Sequence, residues 1–171
     1  DALSQATPVA LHMPLPGDLT LFFQGEVAHP YRLTSAELSR LSTIRIRTRE
    51  VTAGGEIMGA YIYQGIPVLF ILEGIVPRIT GDVPFDRPLD LVVSFISREG
   101  KRSRFSYGEL TMTDDNTPVT LAYQRDPLLP SKPLEEYTRN RYPEDIRGLR
   151  LICPGDRTDR RYLNDVVAVE F

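Results

Sequence analysis

The alternation of apolar and charged positions is clearest in TIRIRTREVT (43–52). Ile44, Ile46 and Thr48 fall on one side of an extended chain and Arg45, Arg47 and Arg49 on the other. A period of two is the signature of a half-buried β-strand, here with a basic outer face. EIMGAYIYQ (56–64) answers it as a second strand. The spacing then predicts a turn at Gly65 and a short helix entered at Pro67 and running through Leu72 and Glu73, because proline suits the first helical turn. Upstream, LTLFFQGEV (19–27) reads as a strand that turns at Gly25. HPYRLTSAELSRLS gives a short strand and then a helix opened by Thr34 and Glu37, which have the T-x-x-E spacing of a capping box, with Leu38 and Leu41 on its inner side.

Downstream, LDLVVSFIS (89–97) and RSRFS form a hairpin across the turn at Gly100. Ser106 and Glu109 repeat the capping spacing and predict a helical turn in SYGEL. TPVTLAYQ (117–124), LRLICPGD (149–156) and the closing VVAVEF read as strands. Between Asp126 and Arg147 the pattern breaks up around Pro127, Pro130, Pro133 and Pro143. So long an irregular stretch inside a compact domain is uncommon and is a candidate interaction surface, with Tyr137, Arg139, Arg141 and Tyr142 as its contact residues. Eight or nine strands that do not alternate with helices exclude a doubly wound sheet. The expectation is an α+β fold with mixed, mostly antiparallel sheets and a few short helices: an extended arm over 1–18 and a single domain over 19–171.

The composition removes several classes of function. The net charge of −3, from 23 acidic and 20 basic residues, gives no electrostatic reason to bind nucleic acid. No apolar run has the length of a membrane span. Two histidines, His12 and His29, and one cysteine, Cys153, cannot build a His-rich or multi-thiolate metal site. No nucleotide-binding glycine motif and no nucleophile elbow is present. The opening DALSQATPVALHMPLPGD resembles the residues left after a signal peptide is cut away and points to a periplasmic or secreted protein.

Four motifs, in this order, carry a family resemblance: FQGEVAHPYRLTSAEL, YIYQGIPVLFILE, FSYGEL followed by TPVTLAYQ, and LRLICPGD. Over about residues 19–171 the chain resembles the oxidoreductase molybdopterin-binding domain of the sulfite oxidase type. The resemblance implies a fold of that type around a cofactor pocket, with a cysteine thiolate on molybdenum in the loop before the aromatic-x-G motif. Counting back from Tyr63, that place falls at Thr52 or Ala53, and neither is a cysteine. A soft sulfur ligand is part of how such a site holds its metal. No cofactor is therefore expected, molybdopterin being the one the resemblance allows.

The candidate site residues are Arg49, Thr52, Ala53, Gly54, Gly55, Tyr107 and Arg157. Arg49 can grip an oxyanion with its guanidinium fork or simply face solvent with Arg45 and Arg47. The pair Gly54 and Gly55 can expose amides to an anion or only turn the chain. Tyr107 can line a pocket or sit half packed and half wet. Arg157, with Arg160 and Arg161, can touch an anion or pair locally with Asp156 and Asp159. Cys153, between Ile152 and Pro154, reads as a small buried hydrophobe. The expected function is a non-catalytic binding or accessory protein whose partner is a small anionic ligand or another protein. The alternatives are an oxidoreductase that binds molybdopterin without a protein thiolate, and a structural or partner-binding module.

Overall fold

The computed structural model describes residues 15, 19–75, 89–112, 117–128, 146 and 148–171. Within them nine strands form one sheet: β1 (Thr20–Gln24), β2 (Tyr31–Thr34), β3 (Ile44–Val51), β4 (Ile57–Pro67), β5 (Val92–Ser97), β6 (Arg102–Ser106), β7 (Thr120–Pro127), β8 (Leu149–Ile152) and β9 (Leu163–Glu170). Three short helices join them, α1 (Ser35–Leu38), α2 (Val68–Leu72) and α3 (Tyr107–Thr111). The only parallel ladder among these strands is β1–β9; the others are antiparallel. This is the mixed, mostly antiparallel α+β class expected from the sequence.

Strand β9 is where the sheet forks. One of its edges pairs with β5, through Ser94–Glu170 to Ser97–Val166. The other edge is shared end to end: β1 takes Ala168 to Glu170, and β8 takes Leu163 and Val166. One branch continues to β2, the other through β7 and β4 to β3. Side chains from both branches fill the main core, including Leu21, Phe23, Ile66, Val93, Phe95, Leu121, Leu151 and Val169. The helices add Leu38 from α1, Val68, Ile71 and Leu72 from α2, and Tyr107 and Leu110 from α3. Each such burial contributes roughly 1.5–3 kcal/mol. Phe95 meets Phe105 edge to face at 5.7 Å, and Phe23 stacks on Tyr31 at 4.6 Å.

The capping box at Thr34 is present in both halves. At Ser106 only one half forms: its hydroxyl accepts from the Glu109 amide at 3.0 Å, while the Glu109 carboxylate turns to Arg161. The expected turn at Gly65 is not a turn. β4 runs straight through it to Pro67, and α2 starts at Val68. A glycine is needed there for a different reason, since a Cβ would lie 2.5 Å from the Leu121 carbonyl oxygen of β7. Strand β7 also reaches Pro127, beyond the expected end at 124. Most of the irregular 126–147 stretch lies outside the described residues, and so does the 1–18 arm apart from Leu15, which is buried in the main core. No described helix is long and apolar enough to cross a membrane.

Candidate functional site

A second, smaller core lies on the other face of β3, β4, β7 and β8, built on Ile46, Tyr63, Ala122 and Ile152. Strand β3 places Glu50 on this face at the same parity as Ile46 and Thr48, and the carboxylate is only 7% exposed. A buried carboxylate costs far more than it returns unless cations and hydrogen bonds surround it. Three donors converge on it. Arg150 Nη2 lies 2.7 Å from Oε1, Arg125 Nη1 lies 3.4 Å from Oε2, and the Tyr63 hydroxyl donates to Oε1. Arg125 stacks over Tyr61 at 4.4 Å, and Arg150 lies 5.7 Å from both the Tyr63 and Tyr162 rings. Burial, with Glu50 adding to it, raises the Tyr63 phenol far above the ordinary tyrosine range, so it remains a donor. Burial also pushes Tyr162 up to about 12.

A bulge brings the second arginine to this face. Gln64 pairs with Gln124, but Gly65 pairs with Ala122, which leaves Tyr123 as an extra residue on β7. An unpaired residue reverses the parity of everything beyond it. Arg125 therefore shares a face with Ala122, three residues away, and stands opposite Tyr63. None of Glu50, Tyr63, Arg125 or Arg150 was among the candidate site residues. The inward parity of Glu50 on an alternating strand was the signal available.

The candidate loop is a hairpin tip closed on itself. The Thr52 amide donates to the Glu56 carbonyl at 2.8 Å, the Gly55 amide to the Thr52 carbonyl at 2.9 Å, and the Thr52 hydroxyl accepts from the Glu56 amide at 3.1 Å. Gly55 sits at φ +89°, which answers the glycine requirement as a turn. Ala53, Gly54, Gly55 and Glu56 are exposed, and Arg49 faces solvent on the outer side of β3. The turn offers a hydroxyl already engaged and no thiolate, so its donors do not fit a thiolate-bound molybdenum. Tyr107 is buried at the start of α3, its amide bonded to the Leu91 carbonyl at 2.7 Å. Arg157 is exposed in the turn after β8. The structure thus joins the hairpin residues to one another and places Tyr107 and Arg157 on other elements.

A cleft of about 280 Å³ opens beside β8, lined by Glu109, Thr117, Val119, Cys153, Gly155, Asp156 and Arg161. None of the seven candidates lines it. Arg161 forks onto Asp156, with Nε 2.8 Å from Oδ2 and Nη2 on Oδ1, while Nη1 reaches Glu109 and the guanidinium lies 4.5 Å from the Phe105 ring centre. This is the local pairing that the alternating charges of CPGDRTDRR suggest. The Cys153 thiol is 2% exposed and lies 3.9 Å from the Arg161 carbonyl oxygen. Burial raises its pKa strongly; Asp156 adds to the shift and Arg161 opposes it. Small volume, two carboxylates and a neutral thiol suit neither an anionic pterin nor a thiolate ligand. Among the described residues no group of three or more His, Cys, Asp or Glu side chains could hold a metal ion.

The thiol makes a measurable prediction. Native protein at pH 8 is expected to resist iodoacetamide for hours and to react within minutes in denaturant. The folded thiol pKa lies above its unfolded value of about 8.5, so its contribution to stability is full below that pH and declines above it. Rapid alkylation of the folded protein would contradict the buried position.

No family model matches the chain, and no curated protein matches it. Among solved structures the chain is similar to the sulfane dehydrogenase SoxCD from Paracoccus pantotrophus, with a TM-score of 0.60 and 16% identity, covering 89% of this chain and 37% of that one. At that identity the likeness is one of fold, and the chain spans 37% of the neighbour's length.

Proposed function

We propose that this protein uses a sulfite-oxidase-type molybdopterin-binding fold as a non-catalytic binding or accessory protein, its molybdenum site lost. Two independent lines support the fold: the order of the four sequence motifs, and the similarity of 89% of the chain to a sulfane dehydrogenase. The observation that carries the loss of catalysis is the Thr52–Glu56 turn. It stands where the resemblance calls for a thiolate, its hydroxyl accepts from the Glu56 amide, the Thr52 and Gly55 amides bond within the turn, and four of its five residues face water. The partly buried Arg125 and Arg150 point the same way, because the protein's own Glu50 occupies the place an external anion would take between them.

The test is molybdenum analysis, together with fluorescence of the oxidised pterin, on protein purified from a host that makes molybdopterin. Molybdenum well below one atom per chain and no pterin are expected. Stoichiometric molybdenum would overturn the proposal. The likeness to a dehydrogenase favours a second reading, an oxidoreductase that holds molybdopterin without a protein thiolate. Bound pterin with molybdenum in this same assay would select it.

A further inference from the structure

We propose that the edge of β3 left unpaired by the described strands is a docking site for an extended, acidic segment of a partner protein, which adds to the sheet as a further strand. The inference goes beyond the function proposed above and holds whether or not the chain carries a metal. Strand β3 ends the β7–β4–β3 branch and, among the described strands, pairs only with β4. With eight residues it is longer than the other edge strands, β2 with four and β6 with five. An unpaired edge presents a row of amides and carbonyls that a strand of another chain can use.

The side chains beside that edge define what fits. Arg45, Arg47 and Arg49 project from one face and are exposed. Arg47 and Arg49 pair with no carboxylate among the described residues, while Arg45 reaches Asp126 only at 3.9 Å, both side chains about half exposed. Behind them on the same face run Ile62 and Ala60, directly across from Arg47 and Arg49. Leu128, 39% exposed, continues the patch, its amide bonded to the Ala60 carbonyl at 2.8 Å. The opposite face of β3 presents Ile44, Ile46 and Thr48. A strand laid along this edge would place alternate residues beside the arginines and the rest beside Ile44 and Ile46. Its pattern is therefore carboxylate, apolar, carboxylate, apolar, since opposite charges across strands attract.

A second copy of β3 does not fit the same edge, because strand-to-strand pairing would set arginine against arginine. The occupant is thus a different, acidic strand. The probe is a short fluorescein-labelled peptide that alternates glutamate with valine and threonine, followed by anisotropy. Saturable binding that weakens with salt is expected. Arg47→Glu/Arg49→Glu is expected to weaken it about tenfold or more and to favour the matching lysine peptide instead. An unchanged melting temperature shows that the variant is folded. Hydrogen exchange with the bound peptide is expected to protect the amides of β3. No binding, equal binding of the glutamate and lysine peptides, or indifference to the double substitution would overturn the proposal. So would capture of phosphatidylserine vesicles in place of the peptide, which would make the face a membrane contact.

Discussion

Replacing Glu50 by alanine is expected to destabilise the fold by about 3–5 kcal/mol, because it strips the carboxylate from two partly buried guanidiniums and a buried phenol and leaves them facing one another. For a chain of this length the melting temperature would fall by roughly 10 °C or more. Glu50→Gln keeps the volume and an acceptor oxygen, so it should cost less. The geometry adds a sharper expectation. Glu50→Ala opens a carboxylate-sized space between donors already aimed at it, and the Arg150 Nε is a further donor with no acceptor among the described residues. Sodium acetate should therefore raise the melting temperature of Glu50→Ala more than that of the parent protein, with ionic strength held constant by sodium chloride, because a ligand of the folded state stabilises it by mass action. Arg150→Met, combined with Glu50→Ala, should cost less than the sum of the two single changes, since each removes the other's partner. A drop of only a degree or two, or strict additivity, would show that the charges are not coupled as the distances imply.

That cluster also shows what a sequence reveals and what it conceals. The alternation over Ile44–Val51 was legible because strand period and burial coincide along an unbroken stretch, and the observed burial follows it residue by residue. Carried two residues past Thr48, the same alternation puts Glu50 on the inward face, although Glu50 was not among the candidate residues. Arg125 was hidden, because strict alternation from Ala122 places Gln124 on the shared face, and only the unpaired Tyr123 reverses that. A bulge is a property of two strands together, so one strand's pattern cannot announce it. The fork at β9 was hidden for a related reason. Two strands that meet the same edge end to end, β1 and β8, are separated by more than a hundred residues of chain. The capping spacings were legible in part. Thr34 and Glu37 complete each other, whereas Glu109 has a competing charged partner in Arg161, 52 residues later in the sequence. In the candidate loop, the glycines show the turn but not whether its amides face a ligand or each other.

Gly65→Ala should be nearly as damaging as Glu50→Ala, and it isolates a different physical cause. Gly65 does not adopt a left-handed conformation, so an alanine there meets no backbone strain. The obstacle is space. A Cβ would lie 2.5 Å from the Leu121 carbonyl oxygen, 2.6 Å from the Ala122 Cα and 2.7 Å from the Thr120 side chain. The nearest two are main-chain atoms of the neighbouring strand, held by the ladder that pairs Gly65 with Ala122 and Ile66 with Leu121. They can yield only if β4 and β7 separate where both cores depend on them. Overpacking costs typically 1–3 kcal/mol when side chains can adjust, and more is expected where the backbone must move, so a loss of about 3 kcal/mol or more is the prediction. Gly54→Ala is the internal control. Its new methyl would meet only the Thr52 hydroxyl, at 3.7 Å, and its effect should stay within about 0.5 kcal/mol. Adding Thr120→Ser to Gly65→Ala removes the side-chain clash but not the backbone one, so it should restore little of the melting temperature. Substantial recovery would instead place the obstacle in the Thr120 methyl and show that the β4–β7 spacing can relax around the added carbon.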